Sequence, residues 1–147
     1  MRKFTLALAL LSLTGCAATV NLEPAQDAND PACAEVSVRY PDEIGDLKQR
    51  YTNAQATTAY GDPAAVLVRC GLEPAFASTL PCVSAGEVDW LVDDADAPNF
   101  RFISFGRTPA VEVIVDSESA SGITALESLS QAVSKLPATA FCTEITN

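Results

Sequence analysis

Hydrophobic positions along this chain first run together, then alternate, and finally fall into a helical stripe. Residues 4–13, FTLALALLSL, carry no charge and follow Arg2 and Lys3. That layout predicts a removable export signal, because a permanent membrane span takes about 20 apolar residues. Residues 17–31, AATVNLEPAQDANDP, show no periodicity and predict a flexible tether. In residues 34–40, Val36, Val38 and Tyr40 alternate with other residues as in a half-buried strand, which Pro41-Asp42 breaks. Ile44, Leu47 and Tyr51 are spaced by three and four and predict a short helix within 43–53. Residues 56–60 and 64–68 read as a hairpin through Gly61-Asp62-Pro63, with Gly71 ending the second strand. Residues 72–82, with Pro74 and Pro81, read as a loop.

The second half patterns more plainly. Residues 88–92 predict a strand carrying Trp90, the only tryptophan, and Asp93-Asp94-Ala95-Asp96 predicts a solvated turn before Pro98. Residues 100–105 and 111–115 flank Gly106-Arg107-Thr108-Pro109 as a hairpin. Val111, Val113 and Val115 share one face of its second strand; Glu112, Ile114 and Asp116 take the other. From 122 to 136 the period changes: Ile123, Leu126, Leu129, Val133 and Leu136 form one stripe of a helix. Thr124 and Glu127 suit a capping box, and Pro137 marks the stop. Strands followed by a closing helix predict an α+β fold: a small, mainly antiparallel β-sheet with a C-terminal helix packed on one face, stabilised by disulfides.

The greasy run ends in Leu13-Thr14-Gly15-Cys16, which resembles the lipobox of bacterial lipoproteins. There the cysteine thiol receives a diacylglyceryl group and becomes the new amino terminus. Two acyl chains hold where one is marginal. The expected organisation is a signal peptide over residues 1–15, a lipidated Cys16 with its tether over 16–31, and one domain over 32–147. The expected location is the extracytoplasmic face of the cell membrane, anchored without crossing it.

Charge and cysteine content sharpen this picture. The net charge of −10 becomes −12 without Arg2 and Lys3, leaving 7 basic against 19 acidic residues. Such a surface repels nucleic acid and anionic headgroups. With Cys16 committed to lipid, Cys33, Cys70, Cys82 and Cys142 remain, an even set that in an exported chain predicts two disulfides. Three pairings are open; the expected one joins Cys70 to Cys82 across a short loop and staples Cys33 to Cys142 at the domain ends. Cysteines spaced Cys-x-x-Cys are absent, as is histidine, which argues against redox or zinc chemistry and against any cofactor.

Five pieces, DPACA at 30–34, YGDP at 60–63 with RCG at 69–71, EVDWL at 87–91, FGRTPAVEV at 105–113 and LSQAV at 129–133, together resemble the domain of unknown function 3515 family of actinobacterial envelope proteins. The resemblance implies an exported, often lipidated protein. It implies no catalytic residues.

Absence of histidine also excludes Ser-His-Asp and Cys-His nucleophile pairs, and no phosphate-cradling glycine loop or nucleophile elbow occurs. The expected function is therefore a non-enzymatic envelope binding or accessory module, with an envelope protein or glycan as partner. Arg69 and Arg107 are candidate ligand contacts, since arginine clamps carboxylate or phosphate bidentately; pairing with the acidic surface is their competing role. Trp90 suits sugar stacking or a core anchor. Glu87 and Asp89 beside it leave open a carboxylate-dependent hydrolase, and a purely structural envelope component is the third alternative.

Overall fold

A computed structural model describes residues 18–143. The expected export signal, the lipobox-like stretch and Cys16 lie outside the described residues.

The first element departs from expectation. Residues 34–40 are not a strand: α1 (Pro31–Ser37) is a helix whose N-cap Asp30 accepts a hydrogen bond from the Ala32 amide at 2.8 Å. Pro31 follows at the first helical position, where its preset φ helps and its missing N–H costs nothing. Cys33, Val36 and Tyr40 are buried while Val38 is exposed, so the helical spacing prevails over the alternation.

Strands β1 (Glu43–Ile44) and β2 (Leu47–Arg50) occupy the place of the expected short helix. Ile44 pairs with Leu47, so Gly45-Asp46 forms a two-residue hairpin turn. The next hairpin, β3 (Thr57–Tyr60) and β4 (Val66–Leu72), falls where the sequence placed it, but β4 continues through Gly71 with a register shift between Cys70 and Leu72. In the second half, β5 (Cys82–Ala85) begins inside the stretch read as a loop. Strand β6 (Val88–Asp93) and the hairpin β7 (Asn99–Ser104) with β8 (Ala110–Asp116) agree with the pattern. Helix α2 (Gly122–Val133) is capped one turn earlier than expected, by Ser121 rather than Thr124. Its contact with the core starts at Ala125, which leaves Ile123 exposed.

The eight strands of the described residues form one antiparallel sheet in the order β1-β2-β3-β4-β8-β7-β6-β5. It consists of two four-stranded meanders joined at a central seam, where β4 pairs with β8. Val66, Val68 and Cys70 on β4 pair with Val115, Val113 and Val111 on β8, and all six are buried. Phe102, Val88 and Trp90 join them, and Leu126, Leu129, Ala132, Val133 and Leu136 complete the core from the α2 side. The helix touches both edge strands, β1 and β5, so the sheet curls around it.

The cysteines pair as Cys33–Cys70 and Cys82–Cys142, with Cα atoms 5.6 and 5.8 Å apart. This corrects the expected connectivity. Cys70 and Cys82 lie on β4 and β5, four strand positions apart, about 19 Å along the sheet, whereas a disulfide needs Cα atoms within roughly 7 Å. Cys33 instead meets Cys70 because α1 packs on β4. Each disulfide therefore closes within one half of the chain.

The stretch read as a flexible tether is also docked over its described part. Val20 donates to the Tyr51 carbonyl at 2.8 Å and accepts from Asn53 at 3.3 Å, and Asp27 donates to the Gly71 carbonyl at 2.8 Å. Gly71 has φ +110°, and a Cβ there would lie 2.5 Å from the Ala28 nitrogen. A side chain at this position would push residues 27–28 off the sheet. Backbone hydrogen bonds hold this segment, which is why it has no hydrophobic period.

Candidate functional site

The sheet face away from α2 carries the ionic chemistry. Arg69 (β4), Glu112 (β8) and Arg101 (β7) lie side by side through the pairings Arg69↔Glu112 and Ile103↔Glu112, with Arg101 two residues from Ile103 on the same face. Arg69 Nε donates to Glu112 Oε2 at 2.6 Å, and Arg101 Nε donates to Oε1 at 2.5 Å. Arg101 Nη1 also lies 3.9 Å from Asp93. The carboxylate is 2% exposed, although alternation had put it on the face opposite the valines; the guanidiniums of Arg69 and Arg101 each hydrogen-bond one of its oxygens. Burial alone would raise its pKa, but hydrogen bonds and charge from Arg69 and Arg101 outweigh that and hold it below its ordinary value of 4.5. Arg69 is thus engaged by a buried carboxylate of its own chain.

Arg107 closes a different junction. It sits in the β7–β8 turn, is buried, and donates to the carbonyls of Leu136, just past α2, and Glu87, at 2.7 Å for the latter. A cation beside a helix C-terminus is favourably placed. Burial lowers its pKa, opposed by the charges of Asp89 and Glu87. Its partners are backbone carbonyls rather than the acidic surface.

Trp90 is fully buried in the core, where its rings cannot stack on a sugar. The indole Nε1 has no hydrogen-bond partner among the described residues. Asp89 lies on the opposite face of β6; its two oxygens accept from Ser84 Oγ at 2.6 Å and from the Cys142 amide at 2.7 Å. Glu87 is exposed in the β5–β6 turn. Asp89 therefore serves to tie the C-terminal segment to β6, and the structure does not bring Arg69, Arg107, Trp90, Glu87 and Asp89 onto one surface.

An open groove forms on the outer face at the β5–β6 end. Its volume is about 820 Å³, and Phe76, Leu80, Leu91, Phe105 and Phe141 line it with the Cys82–Cys142 disulfide. Phe76 and Phe141 are 51% and 66% exposed, unusual for large aromatics away from an interaction surface. Two ties fix the walls: Gly106 N donates to the Ala75 carbonyl at 2.9 Å, and Thr139 N donates to the Gly106 carbonyl at 2.8 Å. Gly106, with φ +68°, lets the Ala140 backbone pass where a Cβ would lie 2.1 Å from its oxygen. Sequence reasoning missed this groove. Its available signal was a phenylalanine in each of two irregular segments adjoining Cys82 and Cys142.

Among the described residues, no group of His, Cys, Asp and Glu is arranged to hold a metal ion, and no helix is long and apolar enough to cross a membrane.

A family model described as "Protein of unknown function (DUF3515)" matches residues 6–141. Comparison with curated proteins and with solved structures returns no match.

Proposed function

The chain belongs to the DUF3515 family, and from that premise we propose that it is a lipid-anchored extracytoplasmic module that binds an envelope partner without catalysing a reaction. One observation carries the location. The four cysteines after the lipobox are consumed pairwise by Cys33–Cys70 and Cys82–Cys142, so Cys16 is the thiol left for acylation. Disulfide pairing of this kind suits an oxidising compartment.

The binding surface in this reading is the Phe76–Phe141 groove. Its volume falls in the range of small-molecule and side-chain pockets, and its aromatic rims suit the apolar face of a glycan ring or an aromatic side chain of an envelope protein. A non-catalytic role is supported by the commitments already described: Asp89, Glu112, Arg69 and Arg107 are each spent on holding the fold.

Two measurements test the proposal. Mass spectrometry of the mature protein is expected to find a diacylglyceryl group on Cys16, and Cys16→Ser is expected to move the protein from membrane to soluble fractions; unmodified Cys16 in a soluble protein overturns the anchor. A photoreactive benzoylphenylalanine at position 141 is expected to give a discrete envelope adduct on intact cells. Labelling no stronger than from position 123 on α2 overturns the groove as the binding surface.

A further inference from the structure

We infer that the end of the sheet carrying Arg50 and Tyr51 faces the bilayer, so that the domain sits on the lipid in a restricted orientation rather than hanging from a loose leash. This rests on the proposed acylation of Cys16 and adds to it a direction.

The inference follows from where the chain becomes fixed. The Ala18 carbonyl accepts from Arg50 Nη2 at 2.5 Å, and the same guanidinium binds the Gly61 carbonyl at 2.8 Å and Asp62 at 3.0 Å. Two residues on, Val20 bridges to Thr52 and exchanges backbone hydrogen bonds with Tyr51 and Asn53. Leu22 N then donates to Asn53 Oδ1 at 2.8 Å. The fold therefore grips the chain from residue 18 onward. From Ala18 to Cys16 is two residues, whose fully extended reach is about 7 Å. An acyl group on Cys16 cannot enter the bilayer without bringing the neighbourhood of Ala18 to the headgroups.

Tyr51 stands at that place. It is 88% exposed, the most exposed of the large hydrophobic side chains among the described residues. An amphipathic ring of this kind is suited to the headgroup level of a membrane. Attraction by net charge has little part here. Arg50 is paired with Asp62 and Lys48 with Glu43, so among the described residues this end of an acidic protein offers anionic lipid no unpaired cation. The anchor and Tyr51 supply the contact. The groove lies over β5 and β6, at least four strand positions from β3, so Phe76 and Phe141 stand on a different part of the sheet from Tyr51.

The test uses the full-length protein in the membranes of the producing cells, with benzoylphenylalanine at position 51 or position 76. Expected is lipid crosslinking from position 51 at least fivefold above that from position 76. A twelve-residue Gly/Ser insertion between Cys16 and Ala18 is expected to reduce the position-51 adduct at least threefold while leaving membrane retention unchanged, since a flexible linker dilutes the local concentration. Equal labelling from both positions, or labelling indifferent to the insertion, in protein shown to be acylated overturns the orientation alone. Soluble protein with an unmodified Cys16 overturns the anchor, and the orientation with it.

Discussion

Arg69 and Glu112 face each other across the β4–β8 seam, with the Arg69 Nε 2.6 Å from Glu112 Oε2. The seam joins the two halves of the sheet, and its outer face has an ion pair where its inner face has valines. Removing one member leaves the other desolvated, which costs more than the pair contributes. Glu112→Leu is expected to destabilise the fold by about 2–4 kcal/mol, short of the fully buried range because both arginines stay partly in water. Adding Arg69→Met to it should cost less than the sum of the two single changes. Urea unfolding of the single and double variants measures both; strict additivity would show that the two side chains are uncoupled.

The same cluster sets a pH dependence. A carboxyl whose folded pKa lies below its unfolded value contributes stability that is present above the unfolded value and lost as pH falls through the folded one. Glu112 is such a group, held down by Arg69 and Arg101 against the opposing effect of burial. Stability from this source is expected to be constant above the ordinary value of 4.5 and to decline below it. Subtracting the unfolding profile of Glu112→Gln from that of the wild type isolates the contribution from those of the other carboxylates. A difference curve that stays level as pH drops well below 4.5 would contradict it.

The disulfides make a third prediction. Peptide mapping under non-reducing conditions should recover Cys33 with Cys70 and Cys82 with Cys142. Their sequence separations of 37 and 60 residues correspond in the chain-entropy model to about 3.8 and about 4.3 kcal/mol. Replacing either pair by serine should lower stability by comparable amounts, yet with different local effects. Loss of Cys82–Cys142 frees the irregular segment carrying Phe141 and should abolish groove labelling; loss of Cys33–Cys70 loosens α1 and should leave it intact.

How much of this was legible beforehand depended on whether one signal or two competed for the same residues. The β7–β8 hairpin carried one: alternation of Val111, Val113 and Val115 after Gly106-Arg107-Thr108-Pro109. Residues 31–40 carried two, because Val36 and Tyr40 belong both to the alternating set and to the helical set with Cys33. The Asp30-Pro31 cap decided it. At 43–51, the three-four spacing of Ile44, Leu47 and Tyr51 suggested a helix, while a two-residue turn at Gly45-Asp46 made a hairpin. Other features were not local at all. Cysteine pairing followed from strand order, Arg107 was buried by carbonyls of Leu136 and Glu87 that no side-chain pattern encodes, and the groove arose where two irregular segments meet. Arg69 and Glu112 were both visible as charges, but their register was not.

The division into two meanders has a kinetic side. Within each half, successive strands pair with their immediate neighbours, whereas the central pairing brings Val66 to Val115, and contacts so distant in sequence slow the search for the native state. During synthesis, β4 must wait with an unpaired edge until β8 has emerged. An open edge rich in valine invites association with other chains. The first half can by then have closed its own sulfur bridge at Cys33 and Cys70, holding a helix against that strand while the remainder arrives.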